Sequence, residues 1–218
     1  MTTPSSLLAA VGRIAAAALG ATSVNRRGNS YAVTLITPIL PDASDELRDV
    51  LRGFKLGSGS PLAKVPDVHF ARWVVIDRLR LDWPGAPKRP SRLRSQYLLF
   101  SADLTAPAYR AACLPGTFFR DLAHHIPDEC DAVWKHCMNF PGVDEVDHFV
   151  KYLSHSQIDI DLYYAAFPDL TPSDISRAIN ARQGFAQFVL QHQDALVGDR
   201  GHDTLKAAYI KESASWAV

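Results

Sequence analysis

Between Tyr31 and Cys137 the chain reads strand, helix, strand, strand, helix, strand, and this order constrains the fold more than any other feature. The run Tyr31-Ala-Val-Thr-Leu-Ile-Thr-Pro-Ile-Leu40 is rich in β-branched residues, and its prolines suit the end of a strand rather than a helix. A helix is expected over Ser44–Phe54, where Leu47, Val50, Leu51 and Phe54 recur at helical spacing and Asp42 or Ser44 is available as cap. Two further strands are expected over Val68–Ile76 and Gln96–Ser101, joined by a Pro-, Gly- and Arg-rich connection of the kind that links antiparallel neighbours. After a helical stretch interrupted at Leu114-Pro115-Gly116, Asp131–Cys137 reads as the closing strand. The βαββαβ order is that of a ferredoxin-like α+β unit with a four-stranded antiparallel sheet.

The surrounding segments divide the chain into an N-terminal helix and linker over residues 1–30, the α+β domain over 31–140 and a helical extension over 141–218 that packs on that domain. The alanine-rich stretch from Leu7 to Ala21 is broken by Arg13 and has no basic residue before it, so it reads as an amphipathic helix rather than a signal peptide. It is also too short to span a bilayer. In the extension, Thr171-Pro-Ser-Asp174 is a helix start with cap, first-position proline and third-position acid, opening a helix to about Gln193. The last 20 residues read as weakly ordered or as a docking tail.

With 23 basic and 23 acidic residues the formal charge is zero, so no global field draws the chain to nucleic acid or anionic lipid. Cys113, Cys130 and Cys137 form neither a CxxC pair nor an even framework, which favours a reducing, cytoplasmic setting. The sequence contains no HExxH, GxSxG, GxGxxG or GxxxxGK[ST] motif, which sets aside zincins, serine hydrolases, pyridine-nucleotide enzymes and P-loop NTPases. His124-His125 lacks the spacing of a zinc pair, and Cys137 beside His136 is no nucleophile–base pair, because neighbours on a strand face apart.

Candidate site residues come from polar exceptions in apolar strands. Residues 68–76 are apolar on both faces, which predicts that both are covered. Within them His69 and Arg72 fall on opposite faces, and a buried Arg72 requires an anion: Asp103, Asp131, Asp161 or a ligand. Trp134 and His136 share one face of the expected last strand, so Trp73 and Trp134, with Tyr163 and Tyr164 of the aromatic patch Leu162–Pro168, read as walls for a planar ligand. His69, Arg72 and His136 are the candidates to orient or react, and His155, at a helix end, is a candidate axial ligand to haem iron. The structural alternative for each histidine is a hydrogen bond to a loop or helix-end carbonyl.

The element order, with His69-Phe-Ala-Arg-Trp-Val-Val-Ile76, Tyr97-Leu-Leu-Phe-Ser101 and Asp131-Ala-Val-Trp-Lys-His-Cys137, resembles the dimeric α+β barrel superfamily over about half of the chain. That group includes dye-decolourising peroxidases, chlorite dismutase-like proteins, haem-degrading monooxygenases and cofactor-free quinol monooxygenases. The GxxDG motif of its peroxidases is absent here. The resemblance implies a homodimer and an oxidoreductase- or monooxygenase-like enzyme holding a hydrophobic aromatic molecule, or haem, between sheet and helices. The reading from another class is a non-catalytic dimeric ligand-binding or interaction protein. Neither nucleic acid nor membrane is an expected partner.

Overall fold

The computed structural model describes residues 24–78, 84–85, 92–105, 114–193 and 202–216. The expected helix at 7–21, most of the basic connection between the central strands, and Cys113 lie outside the described residues. The chain forms two compact units that meet in sequence at Asp169 and Leu170. The first is α+β, built on a four-stranded antiparallel sheet.

Its strands are β1 (Arg26–Arg27), β2 (Ser30–Pro38), β3 (Val68–Arg78) and β4 (Arg92–Thr105), in the spatial order β1-β2-β4-β3. Helix α1 (Ser44–Gly53) follows β2, while α2 (Gly116–His125), α3 (Pro127–Trp134) and α4 (Val146–Ser156) follow β4. All four long-strand and helix expectations from β2 to β4 are met, although α1 begins without a side-chain cap. The expected last strand is not met: residues 127–134 are α3. Pro127 at the first turn with Asp128 and Glu129 beside it is a helix start, and Cys130, Val133, Trp134 and Cys137 are the buried i, i+3, i+4 and i+7 positions of a helical stripe. The period-two reading of Asp131–Cys137 was a short window on that stripe.

The helices cover one sheet face. Val33 and Leu35 of β2, Leu98, Phe100, Ala102 and Leu104 of β4, and Ala71, Trp73 and Val75 of β3 point into a core completed by Phe118, Phe119, Leu122, Trp134, Phe149 and Leu153. The outer edge of β2 is satisfied by three separate pieces. Arg26–Arg27 pairs with Ser30 and Tyr31, Ile158 N donates to Thr34 O at 2.9 Å, and Met138 N donates to Pro38 O at 2.8 Å. The fourth-strand position thus exists, but it is filled from three places in the sequence.

The second unit is a helical hairpin of α5 (Pro172–Gln191) and α6 (His202–Ser213). The expected capping box at Thr171 is present: Thr171 Oγ1 accepts from Asp174 N at 3.2 Å and Thr171 N donates to Asp174 Oδ2 at 2.9 Å. Phe188 is buried among Tyr209, Trp216 and Phe185, and α6 places a helix where the sequence reads as tail. Among the described residues no helix is long and apolar enough to cross a membrane.

Candidate functional site

Among the described residues of the first unit no helix covers the other face of the sheet, where Phe70 is 54 % and Val74 40 % exposed. Strand pairing arranges it in rows. Across β3, β4 and β2 run Phe70–Asp103–Ala32, Arg72–Ser101–Thr34, Val74–Leu99–Ile36 and Ile76–Tyr97–Pro38. A further row, Thr105–Ser30, lies at the Asp103 end. Half of the face is therefore polar and half apolar, a division that follows from residue choice at alternate strand positions.

The polar half is a cluster of hydrogen-bonding groups. A bulge between Val68 and Phe70 shifts the register, and His69 Nε2 meets Thr105 Oγ1 at 2.6 Å. Thr105 Oγ1 lies 3.0 Å from Ser30 Oγ, and both hydroxyls are buried. Ser30 Oγ donates to Pro168 O at 3.1 Å, and beside it the Tyr163 hydroxyl donates to the Asp103 carboxylate. With the Ser30 proton committed to Pro168 O, Thr105 donates to Ser30 and His69 donates from Nε2 to Thr105. The result is two hydrogen-bonded runs side by side, His69–Thr105–Ser30–Pro168 and Tyr163–Asp103.

Its electrostatics follow from burial. Desolvation raises the Asp103 pKa, against the lowering effects of the Tyr163 hydrogen bond and the positive charges of His69 and Arg72. Tyr163 is pushed up to about 12, first by burial and then by the negative charge of Asp103. Tyr163 is delivered by a segment clamped to β2: Gln157 Nε2 donates to Tyr31 Oη at 2.9 Å, Asn25 Oδ1 accepts from Ile160 N at 2.8 Å, and Asn25 Nδ2 donates to Asp159 Oδ1 at 3.1 Å. Gly28 keeps that segment close, because its φ is +57° and a Cβ there would stand 3.0 Å from Asp169 Oδ1 and 3.1 Å from Pro168 Cβ.

The structure thus brings together His69, Arg72 and Tyr163 of the candidates, around Asp103. It corrects two expectations about them. Arg72 is exposed, not buried, because β3 is an edge strand whose second face no helix covers, and no ion pair within 4 Å joins it to a described carboxylate. His69 and Arg72 act on the same face, not opposite ones, because the bulge reverses the alternation. Asp103 was one of three carboxylates considered for Arg72; Ser30 and Thr105 were missed, and their only signal is the pairing of two hydroxyl residues across β2 and β4.

The remaining candidates lie elsewhere. Trp73 and Trp134 face the core, with ring centroids 6.1 Å apart, and Trp134 also packs on Phe100 and Phe149, so side chains fill the space between sheet and helices where a planar ligand was expected. His136 is buried beyond the end of α3, its Nδ1 3.9 Å from Glu46 Oε2. Tyr164 is 82 % exposed. His155 is an exposed helix-end residue whose Nδ1 contacts Lys151 O at 2.8 Å. Among the described residues no group of three His, Cys, Asp or Glu side chains is placed to hold a metal ion. No family model, no curated protein and no solved structure matches this chain.

Proposed function

We propose that the protein is a small-molecule enzyme that moves a proton to or from a hydrophobic aromatic ligand lying on the open face of a ferredoxin-like sheet. One observation carries this reading: His69, Tyr163 and Arg72 gathered around Asp103, a carboxyl of raised pKa, with no ion pair joining Arg72 to a described carboxylate. A phenolic or enolisable hydroxyl placed at Asp103 gives up its proton to the ionised carboxylate, and the new anion lies beside the Arg72 guanidinium. Val74, Leu99, Ile36 and Ile76 take the ring system. Reaction of such an anion with dioxygen, the substrate itself supplying the electrons that reduce it, is the oxidoreductase chemistry that fits this arrangement.

4-Nitrophenol tests the proposal, because its ionisation is read by absorbance. Binding with the phenol pKa lowered in the wild type, and a return toward the free value in Arg72→Met, is expected. A probe that binds without any shift, or a shift indifferent to Arg72→Met and Asp103→Asn, removes the proton-transfer reading.

The exposure of Phe70 and Val74 on the same face favours a homodimer that covers it, and also the rival reading in which the face is only an interface. The two differ at Arg72. A substitution there that leaves ligand binding unchanged but dissociates the dimer supports the interaction protein; loss of binding from a stable Arg72 variant supports the enzyme.

A further inference from the structure

A second cleft, of about 500 Å³, opens between the connection from β2 to α1 and the start of β4. It lies at the far end of β4 from Asp103 and shares none of that cluster's residues. Its volume falls within the roughly 300–1,000 Å³ of small-molecule sites. Pro38, Leu40, Leu93 and Met138 give it apolar walls, with Leu40 and Met138 39 % and 44 % exposed.

Two opposite charges line this apolar cleft without meeting. Asp42 and Arg94 both border it, yet no ion pair within 4 Å joins them to each other or to any other described residue. Asp42 is fixed in place by a left-handed backbone, φ 62°, which Asp and Asn tolerate better than other side chains. Gln96, also on the wall, carries a buried Oε1 that accepts no hydrogen bond. The cleft therefore offers an anion, a cation and an apolar surface, with an unused acceptor buried in its wall.

We infer that this cleft binds a small apolar zwitterion, of free amino-acid to dipeptide size. Its ammonium pairs with Asp42 and finds the Gln96 oxygen when the amide turns, and its carboxylate takes the Arg94 guanidinium fork. The aliphatic or aromatic side chain lies on Pro38, Leu40 and Met138. A simple anion would satisfy Arg94 and leave Asp42 repelling it; a simple cation would do the reverse.

Calorimetric titration of the full chain with L-leucine, L-phenylalanine and L-leucyl-L-leucine tests the inference and separates amino acid from dipeptide. Leucinamide, lacking the carboxylate, and N-acetyl-L-leucine, lacking the ammonium, are each expected to bind about tenfold or more weakly than the zwitterion that binds best. Asp42→Asn, which keeps the turn, should weaken leucine by a similar factor and leave N-acetyl-L-leucine unchanged, while Arg94→Gln should weaken leucine and leave leucinamide unchanged. Met138→Glu should weaken every apolar ligand. Absence of binding at millimolar concentration, glycine binding as well as leucine, or N-acetyl-L-leucine binding as tightly as leucine overturns the inference; the last result leaves an anion site only.

Discussion

Trp134 is the residue at which the core is most exposed to test. It is wholly buried and makes ring contacts at 5.7–6.1 Å with Trp73, Phe100 and Phe149. Truncating such a residue to alanine costs about 3–5 kcal/mol, and ring pairs of this geometry add about 0.5–1.5 kcal/mol each to plain burial, which points to the upper end. An opposing term exists, because Trp134 Nε1 is buried with no acceptor, and a donor left unpaired costs about 1–3 kcal/mol. Removing the indole recovers that penalty, so Trp134→Ala should cost about 3 kcal/mol net. Trp134→Phe keeps a ring in the site, loses roughly 50 Å² of buried surface or about 1.3 kcal/mol, and recovers the same penalty; it should lie within about 1 kcal/mol of wild type. Urea unfolding of the full chain, followed by circular dichroism at neutral pH, measures both. A loss of about 2 kcal/mol or more in Trp134→Phe would show that Nε1 has a partner. A loss below about 1 kcal/mol in Trp134→Ala would remove Trp134 from the core altogether.

Other outcomes follow from the same geometry. Arg72→Met should change the stability of the free protein by no more than about 0.5 kcal/mol, since its guanidinium is exposed and unpaired; a loss near the roughly 3–5 kcal/mol of a broken buried pair would restore the structural role first considered for it. Tyr163→Phe withdraws the hydroxyl that donates to Asp103, so the Asp103 pKa should rise further, as followed by carboxyl chemical shifts across a pH titration. Asp77, almost fully buried, loses by desolvation but gains more from the Arg78 hydrogen bond and from Arg48, 2.6 Å away, so its pKa is lowered. Its contribution to stability is thus present above the usual carboxylate pKa of about 4 and lost as pH falls below it, a loss that Asp77→Asn should abolish in melts at descending pH. Gly184→Ala gains up to about 1 kcal/mol of helix propensity but sets a Cβ 2.5 Å from the Trp216 ring, so it should destabilise the α5–α6 hairpin, seen as a loss of near-ultraviolet ellipticity.

What could be read in the sequence was what depends on local patterning. The alternation in residues 31–38 and 68–76, the stripe of Leu47, Val50 and Leu51, and the Thr171–Asp174 cap each fix an element through neighbours a few positions away, and each appears in the structure. The error at 131–137 arose because seven residues fit both periods, and only the Pro127-Asp128-Glu129 start decides between them. The site was half legible for a related reason. His69, Arg72 and Tyr163 stand out as polar or aromatic exceptions, but their meeting depends on the β3 bulge and on a segment more than 100 positions along the chain docking on β2. Ser30 and Thr105 are ordinary strand residues until the β2–β4 register sets them opposite each other.

The piecewise edge of β2 has a consequence for how the molecule opens. One side of β2 is zipped to β4 along its whole length, so those amides are released only when the sheet itself comes apart. The other side is held by independent latches at residues 25–27, 157–158 and 136–138, each with only a few hydrogen bonds. Each latch can break while the others hold, which gives the strand two sides with different exchange lifetimes. The latch at Gln157 and Ile158 shares the tethering of Tyr163 with the Asn25 bonds to Ile160 and Asp159, so the tyrosine parts from Asp103, the fold beneath undisturbed, when both let go. Hydrogen exchange at Ile158 and Ile160 is therefore a clock for the assembly of the site, running faster than that of the β4-facing amides of β2.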